Sequence, residues 1–394
     1  MNIEHLEAMP ESALRLRRTL EGIIGVPATE GNRIEPLRNG DTIFPAMLEA
    51  IEGARHTIDM LTFVYWQGRV GTDFAHTLAA RAGTGVRVRV LLDGWGASPI
   101  EQGLIDLMEG AGVTVRWFRP LRGIRPGQMN HRTHRKVLIV DEAIAFTGGV
   151  GIADEWLGDA RDETEWRETH FRLHGPAVDG LRAAFLDNWA ETDPELFDED
   201  VDRFPDQPKP GSSIVQCVRG ASEIGHSDLY TLVRTLCQLA RERIRITTAY
   251  FVPDAEIIHR LCGAATRGVE VDVLVPGPHA DKRFVQLAAE ATYATLLDAG
   301  VRVWSYQPTM LHAKIMTIDG LLANVGSANL NARSTALDEE INVVAIDRAL
   351  TRTLDEHFDE DLARSTRIEQ SRWDDRSVLQ RIAETAVGPI RRLF

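Results

Sequence analysis

The sequence predicts an α/β protein made of two homologous halves. An eight-residue pattern, H-x-K-x-x-x-x-D, occurs twice, at residues 134–141 and 312–319. Similar segments surround both copies in the same order, which indicates duplication of a whole domain rather than of a short motif. We expect each half to form a mixed, mostly parallel sheet flanked by helices, because strand-like and helix-like stretches alternate along it.

The individual elements repeat in order. Each half has strand-like stretches that begin at a glycine and alternate valine with other residues, and Ala/Leu-rich stretches that suit helices lie between them. The apolar run after each H-x-K pair suits a further strand. The matched pairs are 54–58 with 240–246, 63–65 with 250–252, 85–92 with 268–275, 111–117 with 299–304, 148–151 with 326–329, and 168–170 with 340–342.

These matches set the predicted domain boundaries. The first domain covers residues 31–192 and the second covers residues 212–366, and a Pro- and Asp-rich linker joins them at residues 193–211. A helical segment is predicted at residues 1–30, before the first domain. An amphipathic segment is predicted at residues 367–394, after the second.

In each copy of the motif, the histidine and the lysine lie two residues apart at the start of an apolar run. Side chains of a strand alternate between its faces, so His134 and Lys136 share one face, as do His312 and Lys314. An imidazole can attack phosphorus or carry a proton, and a neighbouring ammonium can hold the oxygens of a phosphate. The residue types therefore favour phosphate chemistry at these two places.

The aspartate of each copy, Asp141 or Asp319, falls at an odd offset from the histidine, beyond the apolar run. A continuing strand would turn its side chain away from the face that carries histidine and lysine. Both aspartates belong to the catalytic motif, and we expect their role within it to be structural more than chemical.

At these residues the sequence resembles the phospholipase D superfamily, and in particular its bacterial cardiolipin synthase branch. The resemblance runs from about residue 31 to residue 363 and includes N-H-R-T-H-R-K at 130–136, T-G-G at 147–149, Y-F-V-P-D at 250–254 and G-S-A-N-L-N-A-R-S at 326–334. It implies two α/β halves that face each other across a pseudo-twofold axis and share one active site. One monomer is sufficient for such a site, and the oligomeric state stays open.

The resemblance also implies a reaction. One histidine attacks phosphorus to form a covalent phosphohistidine, the other moves the protons of the leaving and accepting alcohols, and no metal or cofactor takes part. By position, His134 is the nucleophile and His312 is the acid and base. The implied phosphate ligands are Lys136, Lys314 and Asn329, the groups that orient the imidazoles are Glu168 and Glu340, and the further substrate-binding residues are Asn130, Gly149, Gly151, Tyr250 and Ser327.

Two points stay open within this assignment. Gly151 stands where the family often has asparagine, so an amide donor is missing from the first half, although backbone N–H groups of the glycine pair could replace it. Glu163 or Glu165 could take the place predicted for Glu168, because all three lie in one charge-rich stretch. The alignment of Glu168 with Glu340 favours Glu168.

The leading functional hypothesis is a phosphatidyltransferase that moves a phosphatidyl group between phospholipids, with phosphatidylglycerol as the expected substrate. A hydrolytic phospholipase D would use the same residues with water as the acceptor. A nuclease or other phosphodiesterase of the superfamily is less favoured, because two complete motifs lie in one chain. A lipid-binding protein without activity is disfavoured by the intact motifs.

Charge and composition limit the partners and the compartment. The chain has 44 Lys and Arg against 58 Asp and Glu, and the net charge of −14 disfavours broad binding of nucleic acid. Three cysteines in 394 residues are typical of reduced thiols. No stretch suits a signal peptide or the roughly 20 apolar residues of a membrane span. We expect a cytoplasmic enzyme that acts on phospholipids and associates peripherally with the inner face of the cell membrane.

Two amphipathic stretches are candidates for membrane contact. Residues 12–26 and 375–394 combine leucine and isoleucine with several arginines, a pattern that suits a helix lying in the membrane interface. Each could instead pack on its own domain as an ordinary surface helix. The expectation of membrane contact is stronger for the second stretch.

Overall fold

The computed structural model describes residues 11–121, 130–193, 204–220 and 227–370. Within these ranges helices and strands alternate in both halves. The helices are α1 (Glu11–Ile24), α2 (Gly40–Gly53), α3 (Arg69–Ala82), α4 (Gln102–Gly110), α5 (Ala177–Trp189), α6 (Asp228–Leu239), α7 (Ala255–Thr266), α8 (Arg283–Asp298), α9 (Ala332–Ala336) and α10 (Arg348–Ala363). The strands are β1 (Thr29–Arg38), β2 (Thr57–Thr62), β3 (Arg87–Asp93), β4 (Thr114–Phe118), β5 (Val137–Val140), β6 (Ile144–Gly148), β7 (Thr169–His174), β8 (Ser213–Gly220), β9 (Arg243–Thr247), β10 (Phe251–Val252), β11 (Glu270–Pro276), β12 (Arg302–Tyr306), β13 (Ile315–Ile318), β14 (Leu322–Gly326), β15 (Leu330–Asn331), β16 (Glu340–Ile346) and β17 (Ser365–Arg367).

One continuous sheet of 15 strands runs through both halves, in the order β17-β12-β11-β9-β13-β14-β16-β8-β1-β7-β6-β5-β2-β3-β4. From the centre outward, β16, β14, β13, β9, β11 and β12 occupy the places that β7, β6, β5, β2, β3 and β4 occupy on the other side. The pseudo-twofold axis therefore passes between β8 and β1, which pair antiparallel. The strands β10 and β15 form a separate parallel pair. The prediction of two homologous α/β halves is confirmed.

The direction of most strands differs from the prediction. We expected mostly parallel sheets, but within the described residues the large sheet has parallel pairs only at β2–β3–β4 and at β9–β11–β12. Those strands are connected through helices, as a parallel crossover requires. The strand after each H-x-K pair instead returns at once in a hairpin, β5–β6 or β13–β14, and a short connection makes its two strands antiparallel.

The two motif aspartates fix those hairpins. Asp141 and Asp319 start the turns after β5 and β13 with positive φ angles of 50° and 52°. The carboxylate of Asp141 accepts three backbone N–H groups of residues 55–57 at 2.7–2.9 Å. The carboxylate of Asp319 accepts those of residues 241–243 at 2.8–2.9 Å. Each aspartate thus ties its hairpin to the start of the neighbouring strand, and this geometry supports the structural role that the odd offset predicts.

Apolar side chains cover both faces of the sheet. On one face, α2, α3 and α4 pack on the first half, and α6, α7 and α8 pack on the second. On the opposite face, α5 and α10 lie over a core that spans both halves. Because the strands at the centre belong to both halves, the motif residues of the two halves meet at the edge of this shared core.

The predicted N-terminal segment contains a helix that packs on the second half. Helix α1, from the predicted N-terminal segment, buries Ala13, Leu20 and Ile24 against the core of the second half, and Leu14 and Ile23 stay 36% and 49% exposed. The amphipathic stretch at residues 375–394 lies outside the described residues. Among the helices of the described ranges, none is long and apolar enough to cross a bilayer. The domain boundaries stay predictions.

Candidate active site

Each motif histidine is held by a carboxylate from the other half. Nδ1 of His134 lies 2.9 and 3.0 Å from the two carboxylate oxygens of Glu340, and Nδ1 of His312 lies 2.7 Å from Oε2 of Glu168. An ionised carboxylate only accepts hydrogen bonds, so Nδ1 is the protonated nitrogen of each neutral imidazole. Nε2 therefore carries the lone pair of each ring and is the atom that can attack or accept a proton.

Backbone pairing between the halves brings these side chains together. The residues just before His134 and Glu340 form one parallel bridge, and the residues just before Glu168 and His312 form its counterpart. The N–H of each histidine donates to the carbonyl of the residue that precedes its glutamate, at 2.8 Å. Each histidine is therefore paired with the glutamate of the opposite half because of the twofold arrangement. Neither half can form a complete site alone.

Asn39 and Gly149 fix the position of Glu168. The N–H of Glu168 donates to Oδ1 of Asn39 at 3.1 Å, and the N–H of Asn39 donates to the carbonyl of Glu168 at 3.0 Å. A Cβ at Gly149 would lie 2.4 Å from Oε2 of Glu168. Glycine at this position is what lets the carboxylate reach His312.

Lys136 and Lys314 are buried beside the histidines. Each Nζ donates to the backbone carbonyl of the histidine two residues earlier, and Nζ of Lys314 also lies 2.9 Å from Nδ1 and 3.1 Å from Nε2 of His312. Burial lowers the pKa of Lys136 to about 7 and that of Lys314 to about 8, although Glu340 and Glu168 act in the opposite direction. A phosphate anion between the lysines would stabilise their protonated forms, because an opposite charge favours the charged state.

The site keeps both imidazoles neutral in the absence of such an anion. Burial lowers the pKa of His134 to about 4 and outweighs Glu340, which acts in the opposite direction. Burial, followed by the ammonium of Lys314, holds the pKa of His312 well below its ordinary value. Burial raises the pKa of Glu340, but His134 and Lys136 bring it down to about 2. An ionised carboxylate behind a neutral imidazole prepares that ring to take up positive charge.

A cleft of about 350 Å³ opens beside His134. The imidazole of His134 is 13% exposed, and it forms part of the cleft wall. Polar groups of the wall include Asn130 and Arg132 from the first half and Lys282, Asn329, Arg333, Ser334 and Asp338 from the second. Aromatic rings in the wall are Phe63 and Trp95 from the first half and Tyr250 and Phe284 from the second. The cleft is therefore mixed in character, as the binding site of an amphipathic molecule would be.

Aromatic rings enclose His312. The centroid of its imidazole lies 5.2 Å from the ring of Trp156, 5.4 Å from that of Trp166 and 6.3 Å from that of Tyr250. Trp156 and Trp166 also contact each other, with centroids 4.6 Å apart. Among the described residues, the ring that His134 meets is Phe63, at 5.1 Å. The two imidazoles are equivalent by pseudosymmetry but differ in their surroundings. Those of His134 are mainly polar, and those of His312 are mainly aromatic.

The predicted substrate-binding residues fall into two groups. Those that line the cleft are Asn130, Tyr250 and Asn329. Gly149 and Ser327 lie behind it, each beside an orienting glutamate. The hydroxyl of Ser327 accepts the N–H of Ile341 at 3.0 Å. Burial raises the pKa of Glu340, and Ser327 helps His134 and Lys136 to lower it. Gly149 and Ser327 are therefore placed to support the two carboxylates rather than to contact the substrate.

Gly151 is also away from the cleft lining. A Cβ at Gly151 would lie 2.7 Å from Cβ of Val64 and 3.0 Å from the ring of Trp156. An asparagine side chain therefore has no room at this position, because Trp156 occupies the space beside it. Asn329 has no amide counterpart at the equivalent place in the first half.

The structure distinguishes the three candidate glutamates of the first half. Glu165 forms an ion pair with Arg161, and Glu163 lies 3.3 Å from His279. Glu168 is the one that reaches His312.

Sequence reasoning missed several residues of the site, among them Trp156, Trp166 and Asp338. A signal existed for two of them, because Trp166 and Asp338 occupy matched positions, each two residues before an orienting glutamate. In the described part of the chain, no group of three or more His, Cys, Asp or Glu side chains is arranged to hold a metal ion.

Known proteins resemble this chain along most of its length. A family profile described as "Cardiolipin synthase, PLD-like domain" matches residues 47–166 and 233–362. The chain is 32% identical over 392 residues to cardiolipin synthase 1 of Bacillus cereus, which covers 98% of this chain and 77% of the relative. It is 34% identical over 357 residues to a probable cardiolipin synthase of Bacillus subtilis, covering 90% of this chain and 71% of the relative.

Solved structures show the same fold. A phosphatidylserine synthase of Haemophilus influenzae superposes with a TM-score of 0.72 at 14% identity, covering 96% of this chain and 98% of that one. A polyphosphate kinase of Porphyromonas gingivalis superposes with a TM-score of 0.56 at 15% identity, covering 100% of this chain and 56% of the kinase. At these identities the likeness concerns the fold alone.

The two-half fold and the paired H-x-K motifs define an enzyme of the phospholipase D superfamily, a class that transfers phosphodiester groups. Within that superfamily, the chain belongs to the cardiolipin synthase family. It is a phosphatidyltransferase of the phospholipase D type.

Proposed function

We propose that this enzyme joins two phosphatidylglycerol molecules into cardiolipin and glycerol through a phosphohistidine on His134. Nε2 of His134 attacks phosphorus, the bond from phosphorus to the glycerol oxygen breaks, and His312 gives that oxygen a proton. A hydroxyl of a second phosphatidylglycerol then loses its proton to His312 and attacks phosphorus. The bond from phosphorus to Nε2 breaks, and both histidines return to their starting state.

One observation carries the proposal: each imidazole is held at Nδ1 by a glutamate carboxylate from the opposite half. This arrangement presents both Nε2 atoms at one interface, together with two lysines that can hold the phosphoryl oxygens. His134 is proposed as the nucleophile because it forms part of the cleft wall. His312 is proposed as the acid and base because it lies in the enclosed part of the site.

The charges of the site support a role for His312 as an acid. With both lysines protonated and both glutamates ionised, the four charges cancel while the imidazoles are neutral. A bound phosphodiester adds one negative charge, which favours uptake of one proton by an imidazole. Substrate binding would therefore supply the proton that the leaving glycerol needs.

The aromatic enclosure of His312 supports transfer over hydrolysis. Water and a lipid hydroxyl compete for the same base, and excluding water from that base favours the lipid. Trp156 and Trp166 cover one flank of the imidazole. A hydrolytic phospholipase D would not need this cover.

The rim of the cleft supports work at a membrane surface. Trp95 is 60% exposed and Phe284 is 46% exposed, and both line the cleft. The exposed side chains of Lys282 and Arg283 lie next to Phe284 in the chain. Aromatic residues favour the membrane interface, and each basic residue near an anionic surface contributes about 1 kcal/mol. We therefore propose peripheral binding to the inner face of the cell membrane, with the cleft facing the lipid.

The test is to capture the intermediate. His312→Asn should accumulate a phosphatidyl adduct when vesicles supply phosphatidyl-p-nitrophenol as the donor. That leaving group departs without the proton that His312 gives, and the group that deprotonates the acceptor is gone. His134→Asn should form no adduct, and His131→Asn serves as a control for loss of a nearby histidine. Denaturing quench, digestion and mass spectrometry would locate the adduct on His134. A phosphoramidate is stable to base and labile to acid, which distinguishes it from a phosphoester.

Three results would contradict the proposal. An adduct on His312 in the His134→Asn variant would reverse the two roles. Steady production of cardiolipin by either the His134 or the His312 variant at near wild-type rate would rule out the shared site. Release of phosphatidic acid with no cardiolipin from the wild type would establish the hydrolytic alternative.

A further inference from the structure

Asp338 has no part in the mechanism above, although it lies in the wall of the cleft. Its side chain is 7% exposed, and Oδ2 accepts a hydrogen bond from Nε of Arg333 at 2.9 Å. Within the described residues, the other carboxylate oxygen, Oδ1, is buried and has no hydrogen-bond partner. A buried acceptor without a partner is costly, and in a binding cleft it indicates a ligand that donates.

The pseudosymmetry shows that this position faces the reaction site. Asp338 lies two residues before Glu340, and Trp166 lies two residues before Glu168. The two residues are therefore counterparts in the two halves. Trp166 meets the imidazole of His312 at 5.4 Å. Its counterpart Asp338 shares the cleft wall with His134 and gives that wall a polar group in place of an aromatic one.

The surroundings hold Asp338 in place. Nη1 of Arg333 donates to Oδ1 of Asn130 at 2.9 Å, and Nη2 donates to the carbonyl of Asn130 at 3.2 Å. The guanidinium is thus fixed at both ends, between Asn130 and Asp338. A second acceptor in the same cleft, Oδ1 of Asn329, is also buried without a hydrogen-bond partner among the described residues.

The chemistry of a phospholipid identifies which part of it would satisfy these acceptors. The diacylglycerol portion and the phosphodiester carry only acceptor oxygens, so hydrogen-bond donors come from the headgroup alcohol. Donors can be the hydroxyl groups of a polyol or the ammonium of an amino alcohol. Arg333 already neutralises the carboxylate, and Lys282 adds positive charge to the cleft, so a neutral hydroxyl fits better than a second cation.

We propose that Asp338 is the residue that selects a hydroxylated headgroup, by accepting a hydrogen bond from a glycerol hydroxyl in the cleft beside His134. The inference rests on the proposed function, because it concerns the substrate of the same site. A site built to bind a hydroxyl rejects an analogue that lacks it, since a buried polar group is then left unpaired.

The experiment compares headgroups in competition. Full-length enzyme is given mixed vesicles that contain phosphatidylglycerol, phosphatidylethanolamine and phosphatidylethanol, and the loss of each lipid is followed by mass spectrometry. The ratio of the rates gives the ratio of kcat/KM values. Phosphatidylethanol is the key probe because its headgroup has no donor. Since all three lipids meet the same enzyme molecules, the ratio is independent of how much of a variant is folded.

Asp338→Ala should lower the preference for phosphatidylglycerol over phosphatidylethanol by about 10-fold, the effect of one lost hydrogen bond. Asp338→Ser should give a loss in the same direction with a smaller side chain. Glu339→Gln is the matched control, since this neighbouring buried carboxylate is directed to Arg119 and Asn188 instead of the cleft. Its preference should stay at the wild-type value.

Each other outcome overturns the inference in a recognisable way. An unchanged ratio in both Asp338 variants would mean that Asp338 does not contact the headgroup. Equal loss with all three lipids would assign Asp338 to the phosphate or to folding. A selective loss of phosphatidylethanolamine would identify an ammonium ligand in place of a hydroxyl. Because lipid consumption is measured, the inference is tested even if the wild type hydrolyses its substrate, an outcome that would refute only the proposed function.

Discussion

Glu340→Gln is the most direct perturbation of the mechanism, because it removes one charge and preserves size. The carboxylate is fully buried and lies 2.9 and 3.0 Å from Nδ1 of His134. Its pKa of about 2, to which His134 and Lys136 bring it against the effect of burial, keeps it ionised at any working pH. An amide can still accept the Nδ1 hydrogen, so the ring keeps its orientation. What is lost is the negative charge behind an imidazole that becomes positive on attacking phosphorus.

The size of the effect follows from that distance. Charge centres about 4 Å apart attract by about 4 kcal/mol at an effective dielectric constant of about 20. At about 1.4 kcal/mol for each factor of ten, the rate of forming the phosphohistidine should fall about 10³-fold. Binding of phosphatidylglycerol should change little, because Glu340 is not part of the cleft lining. The loss is expected in kcat rather than in KM.

The pH dependence gives a second readout that a structural effect would not produce. Attack requires neutral His134, whose pKa is about 4, and Glu340 raises that pKa against the larger effect of burial. Removing the charge should lower the pKa further, so the acid limb of the phosphorylation rate moves to lower pH. Rapid quench of single turnovers between about pH 3.5 and pH 7 would measure it. Glu339→Gln should retain the acid limb of the wild type. A Glu340→Gln enzyme within threefold of the wild-type rate, or one whose acid limb moves to higher pH, would refute the reasoning.

Four further outcomes are expected. Trp166→Ala should raise the ratio of phosphatidic acid to cardiolipin several-fold by admitting water beside His312, and Trp166→Phe should not. The same ratio in Trp166→Ala and the wild type would mean that the ring does not exclude water. Asp141→Ala should lower the free energy of unfolding, measured by urea denaturation, by about 2–4 kcal/mol, because three hydrogen bonds are lost and alanine is disfavoured at positive φ. Asp141→Asn should lower it by less. A loss of kcat without a loss of stability would indicate a chemical role. Activity should be unchanged in EDTA, because lysines are expected to hold the phosphate; a collapse that Mg²⁺ or Ca²⁺ reverses on detergent-dispersed substrate would contradict this expectation. Deleting residues 375–394 should weaken binding to phosphatidylglycerol vesicles in a flotation assay while turnover of a soluble phosphodiester is retained; full vesicle binding by the shortened chain would leave the rim of Trp95 and Phe284 as the membrane contact.

Local sequence patterns were sufficient to predict the duplication and the shared face of each histidine and lysine. A histidine and a lysine two residues apart before an apolar run must share a face of an extended segment, whatever the rest of the chain does. The order of strand-like and helix-like stretches likewise predicted two α/β halves, which the structure and the family match confirm. Strand direction was missed although the sequence carries part of the signal. The turn of β13 into β14 begins at Asp319-Gly320, a strong hairpin signature, whereas the turn of β5 into β6 at Asp141 has no such signature.

Contacts between distant segments were decided only by the tertiary structure. Glu168 orients His312, and not the histidine of its own half, because the pairing of β1 with β8 sets the two halves face to face. The space beside Gly151 is filled by Trp156, which leaves the amide of Asn329 without a counterpart. Periodicity reports the face on which a side chain lies, but what that face meets depends on segments more than a hundred residues away. For this reason the residues of the chemistry could be named from the sequence, while the polar surroundings of His134 and the aromatic surroundings of His312 could not.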